Sequence, residues 1–360
     1  MIHIGIAAFS RQRWMAFSLV AVSLTGQLFG ADQVTRRSDR VVFRGEFTAM
    51  TTAAVTIKLA NGQEQEIPVS DIASVRFDME PPLLTQGQSN ERSGSLDTAL
   101  EKYRQVQTDY AGDDKRLAVD LKFLIARTLV KSALADPLKV EEAGELIKAF
   151  RTEYKNNFRY LEALLLESQL LGRDPAKSAE AQELLKEVQA APVKGFQLEA
   201  GVQLGRLLLT GNDTAGAMTA FDQVIQQSTG DAGATAALYN GMLGKALCLQ
   251  KQGQLDEAVT ILDEIIGKAS ESETQTLAQA WVLKGDCLRA KNLPKDALMA
   301  YLHVDVLYAS EPASHAEALY RLANLWGPAG QPARAEEAMA VLTSRYPNSS
   351  WAKMPASATP

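Results

Sequence analysis

From residue 94 to residue 347 the apolar positions recur at helical spacing, in amphipathic blocks that come two at a time. Tyr239 to Ser270 shows the unit most plainly: a helix, a turn holding Gly253, and a second helix, with the small residues Ala246 and Ala258 twelve positions apart. Small side chains at a crossing let antiparallel helices approach closely, and Leu249, Leu262 and Ile265 fill the space beside them. One hairpin cannot cover both of its apolar faces, so the pattern predicts a stack of them. The same spacing of twelve links Gly205 to Ala217, Gly285 to Ala297 and Ala323 to Ala335, and Phe221, Tyr301 and Met339 follow four positions later. Between the first small residues the steps are 41, 39 and 38, so the variation lies in helix ends and loops. Leu117 to Tyr154 and Phe158 to Val188 are degenerate pairs, the second interrupted by Gly172-Arg173-Asp174-Pro175. Gly94 to Val106 reads as a second helix with no evident first helix before it.

Upstream the period changes. From residue 39 to residue 79 apolar and polar positions alternate, in Val41 to Arg44, Val55 to Leu59, Ile67 to Val69 and Ile72 to Phe77, with a hairpin signal at Asn61-Gly62 and a bend at Gly45. Four or five short strands are expected, closing as a small β-barrel. Residues 80–93 read as a polar linker and 348–360 as a disordered tail. At the other end, Arg11 and Arg13 precede an apolar run from Trp14 to Phe29, the layout of an export signal, with Gly30 or Ala31 near a cleavage point. Leu28 and Phe29 stand where small residues are preferred, so residues 1–31 are either a cut leader or a retained membrane anchor. No Cys follows the run to carry a lipid.

The paired pattern resembles the tetratricopeptide repeat family over residues 94–347, best in the last pair: Leu319, Leu322 and Ala323, then Gly330 in the turn, Ala335, and Pro347 beyond. That resemblance implies a mainly α fold, an α-solenoid whose first helices line a concave groove for a protein or peptide partner. Carried over through the small-residue alignment, the groove positions fall on Glu199, Val202, Arg206 and Leu209, and on Asn240, Leu243, Leu247 and Gln250. Continuing, they fall on Gln279, Val282, Asp286 and Arg289, and on Glu317, Tyr320 and Asn324. The family's carboxylate-clamp set of Lys, Asn and Arg is not reproduced. The ending RYPNSSWAK and the long period resemble the repeats of bacterial envelope proteins. The β segment resembles small SH3-like and Sm-like barrels, but Thr48 to Val55 lacks the Sm RNA-contacting signature, so RNA binding is not implied.

Charge and chemistry narrow the reading without redirecting it. Lys and Arg number 37 against 43 acidic residues, a net charge of -6 that provides no basic footprint for nucleic acid. His303 and His315 belong to no metal-ligand motif and read as ordinary helix residues; His3 lies in the leader. Gly201 and Gly205 fall inside a helix and permit packing, not phosphate binding, and Glu141-Glu142 and Glu336-Glu337 are solvated faces. Trp281 and Trp326 stand at packing positions. Cys248 and Cys287 occupy equivalent places in neighbouring repeats, about 8 to 10 Å apart, so two buried free thiols are expected. The sequence points to an exported, non-catalytic scaffold, periplasmic or envelope-associated, with no cofactor and no metal. The alternative is a ligand-binding or hydrolytic envelope enzyme with a site between barrel and array. A leader kept uncut would make a membrane-tethered assembly factor.

Overall fold

The computed structural model describes residues 31–355. The leader expected at 1–31 lies outside the described residues apart from Ala31, as do the last five residues of the expected tail.

Five strands open the folded body: β1 (Asp32–Arg36), β2 (Val42–Met50), β3 (Ala54–Leu59), β4 (Glu64–Pro68) and β5 (Ile72–Arg76). All neighbours are antiparallel, in the order β4-β3-β2-β1-β5, and Gly62 turns β3 into β4 with a φ of 83°. Strand β1 begins before the expected boundary at residue 39; with Val34 its one apolar residue, it offers no alternation to read. Gly45 has no room for a side chain, because a Cβ there would fall 1.9 Å from the Lys58 carbonyl oxygen. The expected barrel is instead an open sheet. Strands β4 and β5 lie at opposite edges, yet only one 3-10 turn, Val69–Asp71, joins them. A flat sheet of this width would part its edges by roughly 19 Å, and three residues reach only about 10 Å, so the sheet curls. Closure is supplied by helices: Val69, Ile72, Val75 and Phe77 run into one core with Leu84, Leu121 and Phe158.

The helices pair as α1 (Pro82–Arg92) with α2 (Leu96–Asp109), α3 (Lys115–Ala133) with α4 (Val140–Glu153), and α5 (Tyr160–Leu171) with α6 (Ser178–Ala190). Next come α7 (Lys194–Thr210) with α8 (Thr214–Ser228), and α9 (Thr235–Lys251) with α10 (Leu255–Lys268). Last are α11 (Thr274–Ala290) with α12 (Pro294–Leu307), and α13 (Pro312–Trp326) with α14 (Pro332–Arg345). The stretch read as a linker at 80–93 is therefore the missing first helix. Its polar face misled, but Gly87 meets Tyr103 as Gly205 meets Phe221 and Gly285 meets Tyr301, with an added Cβ only 2.5 to 2.6 Å from each ring. Ala246 and Ala323 face the slimmer Leu262 and Met339 at the same offset. Each of these five hairpins turns at a residue of positive φ: Gly94, Asn212, Gly253, Asn292 and Gly330. In the degenerate pairs the turn is longer, with 3-10 segments Pro137–Lys139 and Pro175–Lys177 capped by Asp136 and Asp174. That insertion displaces the spacing of twelve.

Two polar anchors fix the first hairpins. The Asp32 carboxylate accepts the Phe47 N–H at 3.1 Å, the Asp78 N–H at 2.9 Å and Arg116 Nη1 of α3 at 2.8 Å, tying the sheet to the array. Glu91, buried in α1, accepts Arg127 at 2.7 and 2.8 Å, Lys131 at 2.8 Å and the Tyr103 hydroxyl at 2.9 Å. At the far end, part of the expected tail is folded: α15 (Ser350–Lys353) sets Trp351 against Tyr320, ring centroids 5.3 Å apart, with Arg321 over the indole. The Tyr320 hydroxyl donates to the Pro355 carbonyl at 3.2 Å. By composition this segment is polar; Trp351 is what seats it.

Candidate functional site

In each hairpin the second helix packs behind the first, so the first helices α7, α9, α11 and α13 line the inner face of the array. Residues spaced by three, four and seven on them point the same way. Two adjoining chambers result, of about 630 and 590 Å³. The first lies between the sheet, which presents Arg37, Ser38, Ser70 and Asp71, and helices α7 and α9. The second runs on under α7, α9, α11 and α13. Arg206 and Asn240 line both, and Arg206 Nη2 donates to Asn240 Oδ1 at 2.7 Å.

Of the positions carried over from the sequence, Glu199 and Val202 line the first chamber. Leu209, Leu243, Leu247, Gln250, Gln279, Val282, Asp286 and Glu317 line the second. Arg289, Tyr320 and Asn324 line neither. Arg289 lies 3.9 Å from Asp286, Tyr320 is covered by α15, and Asn324 donates to the Tyr320 carbonyl at 2.9 Å. The roof of the first chamber was invisible to helix periodicity, since Arg37, Ser38, Ser70 and Asp71 come from the sheet. The one local sign was Gly195, bare where Ser70 presses within 2.6 Å of a Cβ position.

Most charges along the groove are spoken for. Lys194 pairs with Asp231 at 2.5 Å, and Ser38 donates its N–H and its hydroxyl to Asp71 at 2.9 Å. Arg321 reaches Asp286 at 3.0 Å and Glu317 at 3.2 Å, and the Tyr301 hydroxyl donates to Asp286 at 2.7 Å. Two charges on α7 differ. Among the described residues Glu199 makes no hydrogen bond or ion pair, and Arg206 has only the neutral Asn240 amide. Both side chains are exposed at the groove face. Crowding by the groove walls, and then Glu162, push the Glu199 carboxyl above its ordinary value against the pull of Arg37 and Arg206; the same crowding lowers the Arg206 guanidinium against the pull of Glu199. The same desolvation, followed by Asp286, raises Glu317.

Residues 241–272 and 317–349 match the tetratricopeptide repeat family, covering hairpins α9–α10 and α13–α14. Two of the chain's hairpins match tetratricopeptide repeats. No curated protein matches it. Solved structures similar to it include a tetratricopeptide repeat protein from Parabacteroides merdae ATCC 43184, at 16% identity and a TM-score of 0.52, covering 75% of this chain and 96% of that one. The apo form of RapI matches at 12% identity and a TM-score of 0.54, over 74% of this chain and 97% of its own. NprR in complex with its cognate peptide NprX matches at 14% and 0.50, over 75% and 80%. At such identities the likeness is one of fold.

Other side chains singled out by the sequence pack the tetratricopeptide-like array. His315 is buried, with Nδ1 2.7 Å from the Tyr346 hydroxyl and Nε2 2.8 Å from Asp305, so it pins α12, α13 and the end of α14 together. Trp281 is half-buried and stacks on His303 with centroids 4.0 Å apart, and Trp326 carries Arg334 over its face at 4.9 Å. Cys248 and Cys287 are buried free thiols, each pushed up to about 11 by burial. Among the described residues, no group of three or more His, Cys, Asp or Glu is placed to hold a metal ion, and no helix is long and apolar enough to cross a membrane.

Proposed function

We propose that this protein is a non-catalytic scaffold that holds a peptide or an extended segment of a partner protein in the concave groove of its tetratricopeptide array. The observation that carries the reading is the lining: Leu209, Leu243, Leu247 and Val282 lie with the amides of Gln250 and Gln279 in one trough. Apolar patches give an extended chain area to bury, and side-chain amides satisfy its backbone without demanding one sequence. NprR, which shares the fold, was solved with its cognate peptide. The chamber between sheet and array is where a hydrolytic site would lie; there Asp71 and Asp231 are committed to Ser38 and Lys194, which leaves Glu199 as a single uncommitted carboxylate, and no His lines the chamber among the described residues.

Export belongs to the same reading. Its support is the Arg11, Arg13 and apolar-run layout, followed directly by a strand at Asp32. The envelope is then the compartment in which the scaffold meets its partner. A photo-crosslinking residue at Gln279, compared with one at the exposed Lys268 of α10, tests the groove in the native cell. Adducts to one partner from Gln279 and none from Lys268 are expected; equal yields would sink the assignment. N-terminal sequencing of the protein from the envelope fraction decides between a cut leader and an anchor.

A further inference from the structure

The second helices α8, α10, α12 and α14 form the outer face of the array, and the small residues Ala217, Ala258, Ala297 and Ala335 fix their common register. The residues two, nine and ten positions after these are exposed in all four helices. On α8 they are Thr219, Gln226 and Gln227, and on α10 Thr260, Gly267 and Lys268. On α14 they are Glu337, Ser344 and Arg345. Of the four, α12 alone places apolar side chains there: Met299, Val306 and Leu307, exposed to 56%, 73% and 60%. The hairpin itself does not call for them, since three sister helices hold the same fold with other residues at those positions. Helix period puts Leu302 and His303 in the same outward arc, between Met299 and Val306. His303 lies flat there, stacked on Trp281 with centroids 4.0 Å apart. Asp305, the charge within this stretch, is turned to His315 at 2.8 Å. The result is an uncharged strip about 12 Å long on an otherwise polar back.

Charge around the strip selects what covers it. The rows beside it turn acids outward, Glu257 and Glu264 on α10 and Glu336 and Glu337 on α14. A helix that seeks a lipid surface carries Lys and Arg beside its apolar face, so an anionic bilayer is disfavoured. A second copy of the strip fits better, because the strip is nearly symmetric end to end: Met299 and Val306 flank Leu302 and His303. An antiparallel crossing about a twofold axis at Leu302 and His303 sets Met299 on Val306 of the second copy, the self-matching arrangement that an isologous contact needs. It also carries Lys295 of each copy to the C-terminal end of the other α12, the negative pole of that helix. A parallel crossing would set Lys295 against Lys295.

We propose that two copies of this chain associate back to back through the outer face of α12, antiparallel about an axis at Leu302 and His303. The strip is about 21 Å by 10 Å for the whole helix, well short of the roughly 800 Å² that each partner gives to a standard interface, so the dimer is weak, with a dissociation constant of about 10 to 100 µM. Each groove lies on the other side of its array and stays open. The dimer therefore presents two grooves at once, and an assembly that repeats the groove's target binds both with a gain in avidity.

Sedimentation equilibrium of the protein purified from its native cells, over about 2 to 300 µM, should show a monomer–dimer equilibrium in that range. Val306→Glu should weaken it at least tenfold and Lys295→Glu about threefold, whereas Thr260→Glu on α10 should leave it unchanged. Circular dichroism melts check that the variants fold, and Leu307→Lys is the second variant at the strip. His303→Cys should be joined to its copy by a short bismaleimide, and Thr260→Cys should not; Cys248 and Cys287 are buried and stay out of the reaction. A protein that remains monomeric at the highest concentration overturns the proposal, as does a dimer indifferent to both Val306→Glu and Leu307→Lys. So does binding to phosphatidylglycerol vesicles that Val306→Glu abolishes, which would make a lipid surface the occupant. Crosslinking from Gln279 in the groove is read separately in Val306→Glu, so failure of the dimer and failure of the groove reading are distinguishable.

Discussion

Where Gly205 faces Phe221 the absent Cβ makes room for a ring, and where Ala246 takes the equivalent place the opposing residue shrinks to Leu262. The two sides of each crossing are matched in volume, which is what a close-packed interior requires. Gly205→Ala should therefore cost about 1 to 3 kcal/mol by overpacking, and Phe221→Leu in the same chain should recover part of that loss. Urea denaturation of the two single variants and the double variant measures the coupling, and strict additivity would refute it. Gly253 isolates a different cost. Nothing lies within 4 Å of its Cβ position and its φ is 79°, so Gly253→Ala tests backbone strain alone and should lose about 1 to 2 kcal/mol. The crossing rule also shows what was legible. Gly87 precedes Ala99 by the same twelve positions as the other pairs, so the first hairpin was written in the sequence, but polar neighbours from Gln86 to Ser93 gave it the look of a linker.

At the scale of elements, α1 carries one end of a buried ionic cluster through Glu91, while its other polar residues lie towards solvent. Burial works against the charge on Glu91, but Arg127 and Lys131 outweigh it and hold its pKa at about 2, below its ordinary 4.5. A carboxyl depressed on folding binds fewer protons in the native state than in the unfolded chain. Its contribution is therefore present above pH 4.5 and is lost as pH falls from there toward 2. Urea midpoints measured from pH 6 down to pH 3 should fall, and the fall should be shallower in Glu91→Gln. That variant should itself cost about 3 to 5 kcal/mol at neutral pH, since it leaves Arg127 buried beside a neutral amide. No period in the sequence announces this cluster, because its members come from different hairpins and meet only after stacking. The sheet was half legible for a related reason: β3 to β5 alternate, whereas β1 is identified as a strand by its partners β2 and β5.

For the whole molecule, helix periodicity located the groove wall but not its limits. Residues on α7, α9 and α11 follow from the spacing of small residues, while the roof from the sheet and the seating of α15 on α13 are long-range events. Those limits account for Tyr320, a groove position by register that lies beneath Trp351. The apolar interior is also unevenly divided. One continuous core runs from Val34 to Ala200, whereas beyond it the buried residues fall into smaller separate clusters. A linear stack with only neighbour contacts melts piecemeal, but a stack stapled by a sheet gains cooperativity over the stapled length. Amide hydrogen exchange should show protection graded along the chain, highest and uniform through α1 to α6 and decreasing stepwise toward α14. The groove straddles that gradient: α7 sits on the rigid foundation and α13 on the part that frays. An occupant bridging the two would clamp the loose terminus to the firm one, so ligation would be read out as slower unravelling of the last hairpins.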